Sequence, residues 1–248
     1  MTGVLQDKVA VIIGGSGGIG AATAEVLARA GAQVVVGYRS NAEKAAALAG
    51  SLAGEGHVAL PVSVTETPSI EALRDAVAER FGRADILVNA AGTTTPVPHK
   101  NLDGLTDAII DEVFASNWRG VFATIRAFAP MLKASGQGVV INLSSIAAYK
   151  GFGSSIAYCG AKAGLDAMTH TLALALAPKV RVLSVSPGMV ATGFVPGRTE
   201  EEIARAGAAT PLEVVARPEH VAETILAAVA HLPLSTGIRI PVDAGRAL

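Results

Sequence analysis

The chain has one cysteine, Cys159, among its 248 residues. A lone thiol cannot close an intrachain disulfide and suits a reducing compartment, so a cytoplasmic location is expected. An excess of charge of either sign is also missing, the formal net charge being −1. No global field therefore draws in nucleic acid or an anionic membrane. Apolar runs are broken by glycine or charge well short of the roughly 18 residues that would suggest a membrane span. The N-terminus lacks the basic region and long apolar stretch of a signal peptide. The histidines, His57, His99, His170, His220 and His231, are scattered and none pair at helical spacing, so no metal site is expected.

Apolar material is plentiful. Half of the residues are hydrophobic and 17% are charged, which suggests buried strands under closely packed helices. Short runs rich in Val and Ile recur from end to end: Val9–Ile13, Val34–Gly37, Val58–Val62, Ile86–Val88, Val139–Leu143, Val180–Val185 and Ile238–Val242. Each is too short for a helix and polar only at its ends, as strands of a parallel sheet covered on both faces are. Helix starts lie between them. Ser40 and Glu43 have capping-box spacing before 41–53. Thr67 reads as an N-cap followed by Pro68 at the first helical position. The alternation predicts an α/β, doubly wound fold in one domain spanning 1–248. Residues 188–212 break the rhythm with Gly188, Gly193, Pro196, Gly197, Gly207 and Pro211. A long insertion after the sixth strand reads as a lid.

The first strand runs into Gly14-Gly15-Ser16-Gly17-Gly18-Ile19-Gly20 and then a helix. Strand, glycine loop and helix together are the setting of a dinucleotide-binding turn. Glycines let the backbone approach a pyrophosphate, and the helix N-terminus offers free N–H groups and a positive dipole end. An acid ending the second strand would bind the ribose 2′-hydroxyl and select NAD. Here the sequence is Tyr38-Arg39-Ser40-Asn41, with no acid. Arg39 suits a 2′-phosphate, with Ser40 and Asn41 as further donors. NADP(H) is therefore expected over NAD(H).

Tyr158 and Lys162 are four apart in a segment, 155–177, that reads as helix, so they share a face. A tyrosine hydroxyl titrates near 10 and is a poor base at neutral pH. A neighbouring ammonium is expected to lower that value and fit the pair for acid–base work. Ser145 follows the strand Val139–Leu143, at the strand end where open α/β sheets bind ligands. It is placed to hold a substrate oxygen.

With these residues in view, the chain resembles the short-chain dehydrogenase/reductase family over nearly its whole length. The likeness rests on the Gly14/Gly18/Gly20 loop, Asn89-Ala90-Ala91-Gly92, Asn117, Ser145, Tyr158-x-x-x-Lys162 and Pro187-Gly188. It implies a seven-stranded Rossmann sheet. It also implies that Ser145 positions a carbonyl and Tyr158 protonates it. Lys162 would hold the nicotinamide ribose, and Asn117 would anchor a proton-relaying water. The implied cofactor contacts are Gly14, Ser16, Gly17, Gly18, Ile19, Gly20, Tyr38, Arg39, Ser40, Asn41, Ser63, Val64, Asn89, Ala90, Ala91, Gly92, Tyr158, Lys162, Pro187, Gly188, Val190 and Thr192. Position 63 is usually acidic in the family and is Ser63 here. Ala90 stands for a frequent asparagine, and so does Leu183. The segment around Arg217-Pro218-Glu219 and the ending Val242-Asp243-Ala244-Gly245 are similar to bacterial 3-oxoacyl-(acyl carrier protein) reductases. The positions equivalent to their basic carrier-docking residues hold Gly136 and Lys179.

The expected activity is reduction of a small-molecule ketone or 3-oxoacyl carbonyl to a secondary alcohol. The alternatives are an NAD-dependent alcohol, polyol or steroid-type dehydrogenase and a non-catalytic dinucleotide-binding protein. Cys159 reads as a small helix-packing residue. Arg119, Arg126 and Lys133 form a stripe that reads as a solvated face. Met189 and Phe194 suit either an apolar substrate pocket or packing within the lid. Apolar positions on opposite faces of 155–177, including Leu172, Leu174 and Leu176, leave one face for a second subunit. The resemblance likewise implies a homotetramer or homodimer.

Overall fold

The computed structural model describes residues 3–195, 197 and 199–248. Pro196, one of the breakers in the 188–212 segment, lies outside the described residues. All seven apolar runs are strands: β1 (Val9–Ile13), β2 (Gln33–Tyr38), β3 (Val58–Pro61), β4 (Ile86–Asn89), β5 (Gly138–Leu143), β6 (Val180–Pro187) and β7 (Arg239–Val242). They pair in parallel in the order β3-β2-β1-β4-β5-β6-β7. The chain leaves β3 and returns on the far side of β1. This reversal opens a crevice at the carboxyl ends of β1 and β4, where open α/β sheets take their ligands.

Strand alternation splits the core into two layers. Ala10 and Ile12 of β1 pack with Leu27 of α1 (Gly18–Arg29), Ala45 of α2 (Ala42–Ser51) and Ile225 of α9 (Pro218–Ala230). Val9, Val11 and Ile13 face the other way. They meet Leu73 of α3 (Thr67–Phe81), Phe128 of α5 (Gly120–Ala134) and Leu165 of α7 (Ile156–Leu176). Phe128 and Leu165 are fully buried, and each such side chain contributes roughly 1.5–3 kcal/mol relative to exposure. Among the described residues, no helix is long and apolar enough to cross a membrane.

Two helix starts fall one residue away from their expected places. α2 is capped by Asn41, whose side chain accepts from the Lys44 amide at 2.9 Å. The Asn41 oxygen, one residue nearer the helix, takes the capping role expected of Ser40. In α3 Thr67 is already helical and the cap is Glu66, with Pro68 in the first turn. The turn before it is closed by the Glu66 amide donating to the Ser63 carbonyl at 3.2 Å.

Two polar arrangements stiffen the sheet. Asn89 and Asn142 are register partners on β4 and β5. Asn89 Nδ2 donates to Asn142 Oδ1 at 3.0 Å. Thr124 of α5 donates to Asn89 Oδ1 at 2.7 Å, and Asn142 Nδ2 donates to Thr169 of α7 at 2.9 Å. All four residues are buried. On β6, Arg181 reaches the end of α9, donating to the carbonyls of Ala228, Val229 and Leu232 at 2.8–3.1 Å. A cation there satisfies carbonyls that the helix leaves unpaired.

Between α4 (Asp107–Phe114) and α5 the helix widens into a π turn, Ala115–Arg119. Such turns re-aim side chains at functional sites. Here Asn117 is wholly buried while its neighbour Trp118 is partly exposed. The segment after β6 passes residues 188–195 over the crevice, then forms α8 (Glu200–Ala208). A capping box between Thr199 and Glu202 starts that helix.

Candidate active site

A cavity of about 860 Å³ lies along the carboxyl ends of β1, β4, β5 and β6, within the size range of ligand sites. Its floor is the glycine loop. Gly14 has φ +79°, in the left-handed region, which favours glycine. A Cβ on Gly14 would come within 2.7 Å of the Ala91 amide nitrogen, and one on Gly20 would overlap the Gly14 carbonyl oxygen. Loop and β4 terminus are thus as close as backbone allows. α1 begins at Gly17 with no side-chain cap and no acid in its first turn. The first amides of the helix therefore face the cavity without an internal partner.

Ser16, Gly17, Gly18, Ile19 and Gly20 line this floor. Ala90, Ala91 and Gly92 follow β4, and Pro187, Gly188, Val190 and Thr192 follow β6. Val64 joins them beside β3. Past the end of β2 the lining residues are Arg39 and Ser40, and then Lys44 in the first turn of α2. Lys44 was not anticipated. It sits three residues beyond the Asn41 cap, and that spacing is the only sequence signal for it.

Four expected contacts lie off the cavity lining. Asn41 is spent on capping α2. Tyr38 packs on the core beside α1 and α2. Ser63 turns toward the start of α3, where its Oγ is 3.1 Å from Thr65 Oγ1 and its amide donates to Ser69. Asn89 belongs to the buried chain of polar groups linking β4 to β5.

Ser145, Tyr158 and Lys162 converge at the other end. Ser145 Oγ accepts from the Ala147 amide at 3.1 Å, leaving its own proton for another acceptor. Ser155 caps α7, accepting from the Tyr158 amide at 3.2 Å, and so fixes where the tyrosine enters the helix. One turn on, Lys162 Nζ donates to the Leu143 carbonyl at 2.7 Å and lies 5.7 Å from the centre of the Tyr158 ring. Phe194 closes over the tyrosine, ring centres 6.0 Å apart. Phe194 and Met189 both line the cavity.

The phenol does not titrate as expected. Burial pushes Tyr158 up to about 12, against the hydrogen bond from Ser145, while Cys159 nearby raises it further. Burial takes Lys162 down to about 8, partly offset by Asp166. Burial likewise raises the Cys159 thiol, which keeps it protonated and poorly nucleophilic.

Asn117 stands behind this pair. Its Nδ2 donates to the carbonyls of Thr93 and Val113 at 2.8 and 2.9 Å, while its buried Oδ1 has no partner. A Cβ on Gly92 would come within 2.6 Å of that oxygen and 3.9 Å of Lys162 Nζ. The bare glycine leaves room at a point that both groups border.

A family model described as enoyl-(acyl carrier protein) reductase matches residues 14–247. A cis-4-hydroxycyclohexanecarboxylate dehydrogenase from Sinomonas cyclohexanicum is 38% identical, covering 88% of each chain. A 3-oxoacyl-(acyl carrier protein) reductase from Synechocystis sp. is 34% identical over 97% of each. The chain belongs to the short-chain dehydrogenase/reductase family. A solved member, a glucose/ribitol dehydrogenase-type protein from Brucella melitensis, superposes with a TM-score of 0.92 at 29% identity, covering 99% of this chain and 98% of that one. Members of this family are oxidoreductases that bind a nicotinamide dinucleotide. The site fits that group. The uncapped, acid-free start of α1 and the side-chain-free floor at Gly14 and Gly20 suit a pyrophosphate.

Proposed function

We propose that this protein is an NADP(H)-dependent reductase that converts a ketone or 3-oxoacyl-type carbonyl to a secondary alcohol, with Tyr158 as general acid. The observation that carries the reading is the convergence of Ser145, Tyr158 and Lys162 on the same cavity as the side-chain-free glycine loop. A tyrosine hydroxyl is protonated at neutral pH and ready to donate, and the same group takes the proton back in oxidation, so the reductive direction rests on the NADP(H) reading.

When bound, the dinucleotide supplies a hydride to the carbonyl carbon. Ser145 turns its hydroxyl proton from the phenol oxygen to the carbonyl oxygen and holds the carbonyl near Tyr158. As negative charge develops on that oxygen, Tyr158 releases its proton to it. Lys162 keeps its remaining N–H groups for the nicotinamide ribose and for a proton path back to the phenol. Asn117 Oδ1, bordering the gap above Gly92, anchors the water of that path. The 188–212 segment acts as the lid, with Phe194 excluding water from the tyrosine.

Selection of NADP(H) rests on Arg39, just past β2, and Lys44, in the first turn of α2, with no acid among the described lining residues. A homodimer or homotetramer is supported by Phe114, Trp118 and Phe122 on α4, the π turn and α5, with Ile156 and Leu174 on α7, all exposed. Cys159 and a reductive activity suit a cytoplasmic location.

Calorimetric titration of NADPH and NADH into wild type and an Arg39→Ala/Lys44→Ala variant tests the cofactor reading. NADPH should bind about tenfold tighter or better, and the double variant should lose the difference. Tighter NADH binding refutes the NADP(H) assignment and favours an oxidative, NAD-dependent dehydrogenase.

A further inference from the structure

The cavity has a cation that the steps above do not use. Arg246 lines it beside Phe152, Gly153 and Tyr158, at the substrate end. The guanidinium carbon lies 5.7 Å from the centre of the Phe152 ring, and Nη1 donates to the Ala206 carbonyl of α8 at 3.1 Å. Among the described residues this is the only hydrogen bond of the group, which leaves four of its five N–H donors uncommitted. Among those residues, no carboxylate pairs with it either. The nearest acid in sequence, Asp243, spends its two oxygens on the amides of Gly245 and Ala247, at 3.0 and 2.7 Å. A half-buried guanidinium without a counter-ion among the described residues, 5.7 Å from the centre of an aromatic ring, is a ready site for an anion.

We infer that Arg246 determines specificity by binding a carboxylate of the substrate, so that the ketone reduced here is a keto acid. This deepens the reductase reading and rests on it. A carboxylate is favoured over a phosphate because, among the described residues, Arg246 is the one cation at that end that is not already engaged, the Lys162 ammonium being directed to the Leu143 carbonyl. One guanidinium neutralises a monoanion and matches its planar geometry, whereas a dianion would keep a charge uncompensated. The bond to Ala206 gives the residue a second task. It ties the last turn of α8, and so the lid, to the group that meets the substrate.

The test uses the protein loaded with NADP⁺, which has no hydride to transfer to a ketone, and calorimetric titration with 4-oxopentanoate, 4-oxocyclohexanecarboxylate and 6-oxoheptanoate, each beside its methyl ester, and with acetoacetyl-coenzyme A. At least one acid should bind about tenfold tighter than its ester. Arg246→Gln keeps a donor for Ala206 but loses the charge, and it should abolish that preference; Arg246→Lys should restore part of it. A purely structural role for Arg246 would weaken acid and ester together and leave their ratio unchanged, which overturns the inference. Equal affinity for every acid and ester pair, no binding by any acid, or preference for acetoacetyl-coenzyme A also overturns it. A protein that takes up no dinucleotide refutes the reductase reading instead, so the two failures are distinguishable.

Discussion

Lys162 should make the protein less stable at neutral pH than at alkaline pH, and removing its charge should erase that slope. Its ammonium is buried and its pKa is lowered from 10.5 to about 8. Between those values the unfolded chain binds more protons than the folded one, so stability rises with pH across the window and falls as pH drops through it. Integrating the linkage from about pH 7 to 9.5 gives a relative gain of about 2 kcal/mol. Lys162→Met removes the titration. It also strips the Leu143 carbonyl of its 2.7 Å donor, but that loss does not depend on pH, so it displaces the stability curve without tilting it. Urea unfolding of both proteins, followed by circular dichroism at matched protein concentration across the window, isolates the difference because other titrating groups cancel. The difference between wild type and variant should change by about 2 kcal/mol over the range. Parallel curves would mean that Lys162 titrates normally in the folded protein, and the account of the site's electrostatics would be wrong.

Tyr158→Phe should lower kcat for ketone reduction by about 10²–10⁴-fold with NADPH affinity little changed, as single-turnover kinetics and calorimetry will show. Gly20→Ala should weaken dinucleotide binding by tenfold or more and lower Tm, because its Cβ overlaps the Gly14 carbonyl oxygen. Arg181→Met should destabilise the fold by about 2–4 kcal/mol, since the carbonyls closing α9 lose their donor; urea denaturation showing less than about 0.5 kcal/mol would contradict the helix-end role.

The central strands are legible in the sequence because a strand buried on both faces, as β1 and β4 are, must be apolar without interruption; the partly exposed edge strands β3 and β7 are legible by their place in the βα alternation. The glycine loop and the Tyr158/Lys162 pair are legible because their chemistry depends on local spacing. Helix starts are harder. Ser40 and Asn41 compete for one cap, and the winner is set by the turn out of β2. The π turn has no pattern of its own, since one widened turn reflects the packing of Asn117 inward and Trp118 outward. The titration of Tyr158 reverses expectation because burial is a property of the assembled site. Arg246 reaches the cavity only because the chain folds back beside α8 after β7, and nothing near it in sequence reports that.

The buried chain from Thr124 through Asn89 and Asn142 to Thr169 constrains how this sequence can change. The two asparagine side chains are bonded only to each other and to the two threonines, so replacing any one of the four with an apolar residue strands a partner at a cost of about 1–3 kcal/mol. A wholly apolar version of the same volume would have no such debt, yet single substitutions reach it only through less stable intermediates. Sliding β4 by one residue would turn Asn89 into the opposite apolar layer, so the same four residues also penalise the nearest misaligned sheet. Selection on any one of them therefore acts on all four, and drift at these positions should occur in concert or not at all.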